Sequence, residues 1–137
     1  MANALDFQIT EEGTRNAVIK MTGILTDSNI SETPAIAMSS FLNNDQLLKL
    51  VGFRVDLIEW SISNGLEVNL AWHSSSPQQI YPLAGRGRIC STNYGGFIPD
   101  RTKGGYNGDI DLTTAGFTPG TVQNFTIVLE LIKIYTQ

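Results

Sequence analysis

The sequence predicts an all-β protein, a single-domain β-sandwich. Three observations carry that prediction. Apolar residues recur at every second position through most apolar stretches, the period of a strand with one buried face. Clusters of Gly, Pro, Asn, Asp and Ser interrupt these stretches at short spacing and set off about eight or nine strands. In the C-terminal run from Phe125 to Tyr135, seven of eleven residues are β-branched or aromatic, which favours strand over helix. The 137 residues suffice for one domain, over residues 1–137, without repeat, low-complexity segment or linker. A chain of this length buries roughly 68% of its unfolded surface, so its core needs no disulfide.

Taken in order, Leu5, Phe7 and Ile9 alternate with Asp6 and Gln8, so residues 1–12 read as an edge strand or an extended N-terminal arm. After a turn at 13–16, Ala17, Ile19 and Met21 mark a second strand, with a parity slip at Ile24-Leu25. Asp27-Ser28-Asn29 then breaks the chain. Pro34 excludes a continuous central strand, because proline donates no ladder hydrogen bond. Residues 35–42 fit a strand better than a short helix, and a long strand is expected to start near Leu47.

The stretch from Gly52 to His73 reads as a β-hairpin. Phe53, Val55 and Leu57 alternate, the parity slips at Leu57-Ile58 as a β-bulge or a change of sheet would make it, and Ile58, Trp60 and Ile62 continue. The return strand carries Leu66, Val68, Leu70 and Trp72. A two-residue Asn64-Gly65 loop would set Ile62 opposite Glu67. A three-residue loop, Ser63-Asn64-Gly65, sets Ile62 opposite Leu66, Trp60 opposite Val68 and Ile58 opposite Leu70, and is the register expected.

Beyond it, Gln79 to Leu83 is a short strand interrupted by Pro82, and the glycines of Gly85-Arg86-Gly87-Arg88 permit close approach of another backbone. Residues 92–108 hold Gly95, Gly96, Gly104, Gly105 and Gly108 and read as a long exposed loop. Asp109 to Thr113 is a strand, and Ala115 to Gly120 a turn. The last strand is apolar on both faces, Phe125, Ile127, Leu129 and Leu131 against Val128, Ile132 and Ile134, which predicts a central position or packing against a second surface.

Net charge is −4, which argues against a nucleic-acid partner, since phosphate contact needs a basic footprint. The charge is segregated. Residues 1–73 carry 4 basic and 9 acidic side chains, while residues 74–108 carry Arg86, Arg88, Arg101 and Lys103 against Asp100 alone. That basic region is either a solvated loop or a contact for an acidic neighbour, including another copy of the chain. The start at Met1 lacks signal-peptide character, no apolar run approaches the about 20 residues of a membrane span, and a lone Cys90 forms no internal bridge. A soluble product made in the cytoplasm, with no membrane partner, is the expectation.

Catalysis has little to stand on. His73 is the only histidine, followed by three serines, without a nucleophile-elbow motif or an evident carboxylate partner, and reads as a surface residue. Glu59 and Glu67 lie on polar strand faces, opposite Asn69 and Ser61 in the expected register. Asn107, Asp109 and Asp111 alternate and offer oxygens to a hard cation, but the spacing lacks the rest of a calcium loop and ordinary turn chemistry is the favoured reading. Cys90 reads as buried or half-buried; Trp60, Trp72, Tyr81, Tyr94 and Tyr106 offer rings for a sugar-binding platform, but Trp60 and Trp72 read as core on strand parity. No cofactor motif is present, and no enzyme, cofactor or metal site is expected.

Five stretches carry a family resemblance: Gly52-Phe53-Arg54-Val55-Asp56, Leu70-Ala71-Trp72, Gly95-Gly96-Phe97-Ile98-Pro99-Asp100, Gly108-Asp109-Ile110-Asp111-Leu112 and the run Phe125 to Tyr135. In these the chain resembles small virion structural proteins of tailed bacteriophages. The resemblance implies a capsid decoration, or cement, protein with a jelly-roll sandwich, a homotrimer bound to the major capsid protein on the exterior of the virion. Its implied work is to reinforce the head without chemistry. For such a role Arg86, Arg88, Arg101 and Lys103 are candidate subunit or capsid contacts, as are Phe7 and Ile9 on the N-terminal segment. The rival functions are a carbohydrate- or receptor-binding module of a phage tail, which needs exposed aromatics, and a small hydrolase, which needs His73.

Overall fold

The computed structural model describes residues 3–13, 15–31, 33–37, 41, 49–92 and 95–136. Its strands are β1 (Ala4–Glu12), β2 (Asn16–Leu25), β3 (Thr33–Ile36), β4 (Lys49–Ile62), β5 (Glu67–Trp72), β6 (Gln78–Ala84), β7 (Arg86–Cys90), β8 (Ile110–Ala115) and β9 (Gln123–Thr136). The all-β expectation is met. Five strands form one antiparallel sheet in the order β1-β2-β9-β4-β7, and four form a second in the order β3-β8-β5-β6. Residues from both sheets build one hydrophobic core, including Ile19, Met21, Phe53, Val55, Ile58, Phe125, Ile127 and Leu129 from the first and Val68, Leu70, Trp72, Leu83, Ile110 and Leu112 from the second.

The strand pairing has a regular order. β2 pairs with β9, β3 with β8, β4 with β7 and β5 with β6, so the chain from β2 onward doubles back on itself as one antiparallel ribbon. Successive pairs of this ribbon alternate between the two sheets, and the contacts of β4 with β9 and of β5 with β8 knit each sheet together. β1 stands outside the ribbon, an edge strand paired with β2. β9 has β2 on one side and β4 on the other, the central position its two apolar faces predict. Both proline-containing strands are edges, β3 with Pro34 and β6 with Pro82.

Two irregularities differ in outcome. The slip expected at Leu57-Ile58 is present as a register shift between Val55 and Leu57 against β9. The extra residue is Asp56, whose carboxylate accepts from Arg54 Nε at 2.7 Å and Nη2 at 3.0 Å. The slip expected in β2 is absent. Ala17, Ile19, Met21 and Leu25 keep one parity, Ile24 faces outward, and the register with β9 is unbroken. Gly23 takes the inward position opposite Phe125, whose ring fills the space a side chain would need, and the missing apolar residue mimics a slip in the sequence.

The hairpin over Gly52 to His73 does not form. Ser63-Asn64-Gly65 turns the chain, with Leu66 N donating to Ser63 O at 3.1 Å and Gly65 at φ 82°, but β4 and β5 belong to different sheets. Between Ile58 and Ile62, β4 already has β9 along one edge and β7 along the other, leaving none for β5. Ile58 therefore stands beside Ile89 and Leu129, and Leu70 beside Leu112 and Tyr81. Of the residues named by the alternation, Phe53, Val55, Ile58, Ile62, Leu66, Val68, Leu70 and Trp72 are buried in a core shared by two sheets and not along one, Leu57 is also buried, and Trp60 is half-buried.

Smaller corrections follow from packing. Gly87 admits the indole of Trp60, not a backbone, and Trp60 Nε1 donates to Ala84 O at 2.9 Å. Trp60 is consequently half-buried at the margin of the core, whereas Trp72 lies within it. β8 runs one residue later at its start and two at its end than expected. Residues 38–40 and 42–48, on which the expected strand at 35–42 and the start near Leu47 partly fall, lie outside the described residues; the long strand is described from Lys49.

Candidate functional site

The six residues singled out as contacts fall on three places. Phe7 and Ile9 are on β1, one edge of the five-stranded sheet, half-buried on the side that faces the core together with Leu5. Arg86 and Arg88 are on β7, the opposite edge of the same sheet, and both are exposed. Arg88 Nε lies 3.3 Å from Glu59 Oε1 across to β4, a pair more than half exposed and so worth little by itself. Arg101 and Lys103 lie on neither edge. They occupy the turns of the 95–109 loop, so the basic region of the sequence divides into a strand edge and a loop.

That loop is tied down at several points. Val55 and Phe97 exchange backbone hydrogen bonds of 2.9 Å, which places the loop along β4 beyond the end of β7. Asp100 N donates to Gln78 Oε1 at 2.7 Å, and Gln78 Nε2 returns a bond to Asp100 O at 2.9 Å. Thr102 donates to Asp100 Oδ1 from both its amide and its hydroxyl, and these bonds, the hydroxyl's foremost, hold the Asp100 carboxyl below its ordinary range. The Tyr106 hydroxyl donates to Val51 O at 2.9 Å, and burial pushes the phenol up. Gly96, at φ 82°, lies against the Arg54 side chain, where a Cβ would collide. Ile98 projects 60% exposed from this anchored loop.

Fold contacts also assign the residues weighed for chemistry. His73 Nδ1 lies 2.6 Å from Oδ2 of Asp111, a buried carboxylate from β8 that no local sequence signal connects to it. This pair orients the imidazole, as the second half of a triad would. The adjacent Ser74 hydroxyl donates instead to Ser76 O at 2.6 Å. Asp111 Oδ1 is buried without a hydrogen-bond partner. Asn107 Oδ1 accepts from Asp109 N at 3.0 Å, the turn chemistry expected of it, and among the described residues no group of three His, Cys, Asp or Glu is placed to hold a metal. Glu59 and Glu67 are on different sheets, so they do not face one another's strands. Cys90 is exposed, not buried: it ends an edge strand with its side chain outward. The Thr92 hydroxyl, 3.1 Å from Sγ, and then the Thr92 amide lower its thiol pKa, with Arg88 assisting.

One feature escaped the sequence reading, and a second was anticipated only for Trp60 and Tyr81. Lys133, on the inward parity of β9, is completely buried and bonds Glu12 Oε2 at 2.8 Å, fastening the end of β1 to the central strand. The inward parity of 125, 127, 129 and 131 extended to 133 was the available signal. The second is a row of half-buried rings, Trp60, Tyr81 and Phe97, with centroids 5.9 and 6.0 Å apart, drawn from β4, β6 and the loop. A shallow depression of about 190 Å³ adjoins Trp60, lined also by Glu59, Ser61, Gly87, Thr126 and Val128.

Comparison of the chain with protein-family models, with curated proteins and with solved structures finds no match.

Proposed function

We propose that this protein is a non-enzymatic structural component of a tailed-phage virion, a jelly-roll capsid decoration protein. It binds the major capsid protein as a homotrimer on the outer surface of the head and stabilises the shell. The observation that carries the reading is the ribbon of paired strands, β2 with β9, β3 with β8, β4 with β7 and β5 with β6, divided alternately between two sheets. This pairing order supports reading the sandwich as an eight-stranded jelly roll, an architecture used by viral capsid and lectin domains. A fold hosts many functions, and the resemblance of the five quoted stretches to virion proteins selects among them. Sedimentation with purified phage heads, after light scattering of the free protein, tests it. A trimer that pellets with the heads is the expected result; a monomer left in the supernatant overturns it.

The aromatic row favours a second reading, a carbohydrate- or receptor-binding module of a phage tail. Trp60, Tyr81 and Phe97 are half-buried, and Trp60 also adjoins a depression lined by Glu59, Ser61 and Thr126. Titrating the protein with sugars while following Trp60 fluorescence tests this alternative, and an unchanged emission removes it.

A further inference from the structure

The two edges of the five-stranded sheet, β1 and β7, each without a further strand beside it among the described residues, differ in charge, and they do so on the same face. On β1, Asp6 stands beside Thr22 and Glu11 beside Val18, which places both on the outer face of the sheet, and both are exposed. On β7, Arg86 stands beside Ser61 and Arg88 beside Glu59, again on the outer face and exposed. β1 carries Asp6, Glu11 and Glu12 and no basic residue, while β7 carries Arg86 and Arg88 and no acidic one. Glu12, on the other face, is held by Lys133.

The inner faces match as well. Leu5, Phe7 and Ile9 line the inward side of β1 half-buried, and β7 offers Ile89 and the indole-backed Gly87 on its inward side. Every pairing in the sheet is antiparallel, so β1 and β7, with three strands between them, run in the same direction. A sheet edge is a row of backbone donors and acceptors open to another chain.

We propose that β1 of one copy docks on β7 of a second copy, continuing the five-stranded sheet from molecule to molecule with outer face beside outer face. Asp6 and Glu11 then meet Arg86 and Arg88 of the second copy, and the apolar inner side of β1 covers Ile89. Charge decides against the two-fold alternatives. A β1–β1 contact sets acid against acid, and a β7–β7 contact sets arginine against arginine, each unfavourable across neighbouring strands. A contact between two different patches is head-to-tail and closes into a ring when its rotation permits. This deepens the oligomer of the reading above and rests on that reading for its closure at three copies, but the edge contact requires no capsid.

The test compares Arg86→Glu/Arg88→Glu, Asp6→Lys/Glu11→Lys and the fourfold exchange that combines them, by light scattering over a concentration series. Circular dichroism and thermal melting verify that each variant is folded. The native chain is expected to associate, each double variant to dissociate about tenfold more readily, and the fourfold exchange to recover association. A native chain that stays monomeric overturns the inference, as do double variants that associate normally or a fourfold exchange that does not recover. Should a double variant fail to fold, Arg86→Gln/Arg88→Gln replaces it, with weaker association than the native chain as the expected outcome and unchanged association as the refuting one; association of the native chain is expected to weaken with added salt, and salt-independent association refutes the charge pairing. Head binding is scored separately. Oligomers that ignore heads refute the decoration reading and leave the edge contact standing, whereas monomers that bind heads do the reverse.

Discussion

Replacing Gly23 with alanine opposes two effects whose balance the structure decides. Glycine in a strand interior costs about 0.5–1 kcal/mol relative to alanine through the entropy of the unfolded chain, so on backbone grounds Gly23→Ala stabilises. The new Cβ, however, would collide with Cε1 and Cζ of Phe125 and lie 3.1 Å from Cε2. Phe125 is 1% exposed and packed in the central core, so its ring has nowhere to swing. Overpacking of this kind costs about 1–3 kcal/mol, and the net expectation is a loss of about 1–2 kcal/mol. Phe125→Leu shortens the ring and alone costs about 1–2 kcal/mol through the cavity it leaves. In that background the Cβ of Gly23→Ala enters vacated space, and the substitution becomes neutral or stabilising. The coupling between the two sites is therefore favourable by about 1–3 kcal/mol. Urea unfolding of the native chain, both single variants and the double variant measures it. A stabilised Gly23→Ala, or effects that simply add, would refute the argument that the Phe125 ring holds the place of the absent side chain.

Glu12→Ala takes the carboxylate from the buried Lys133 ammonium and is expected to cost about 3 kcal/mol in urea unfolding, while replacing both partners, Glu12→Leu with Lys133→Met, costs under about 1 kcal/mol; equal losses would contradict the asymmetry. The lowered Asp100 carboxyl contributes stability that is present above its unfolded pKa and is lost as pH falls through the lower folded value. Thr102→Val moves the Asp100 titration, followed by nuclear magnetic resonance, back up towards the ordinary range. Thr92→Val likewise raises the Cys90 thiol pKa, read from thiolate absorbance against pH, and an unmoved titration would show that the hydroxyl does not stabilise the thiolate. Gly87→Val displaces the Trp60 indole from β7, with a red-shifted and more quenchable tryptophan emission as the expected outcome.

Much of the candidate interface is legible one strand at a time. The alternation of Leu5, Phe7 and Ile9 with Asp6 and Gln8 already separates an apolar from a polar side, and the Arg86-Gly87-Arg88 pattern does the same for β7. That these strands form opposite edges of one sheet is not legible. Nor is the separation of Arg101 and Lys103 from Arg86 and Arg88, which sequence proximity had grouped as one basic region. The link between His73 and Asp111 spans 38 residues and that between Glu12 and Lys133 spans 121, so no local pattern registers either.

The sequence by itself determined the strand character of the chain, the parity slip of β4 without its cause, the exclusion of a continuous central strand at Pro34 and, as one of two outcomes, the central place of β9. Each follows from properties of a single segment: its period, its β-branched content, its missing amide proton or its two apolar faces. Tertiary structure alone decided which strand lies beside which. Ile62, Leu66, Val68 and Leu70 are buried whether Ser63-Asn64-Gly65 closes a hairpin or carries the chain between sheets. Alternation specifies that a face leaves water, and burial of apolar surface is non-directional, so it does not specify the surface that receives it. β9 and β7, distant in sequence, took both edges of β4, and that competition sent β5 to the other sheet.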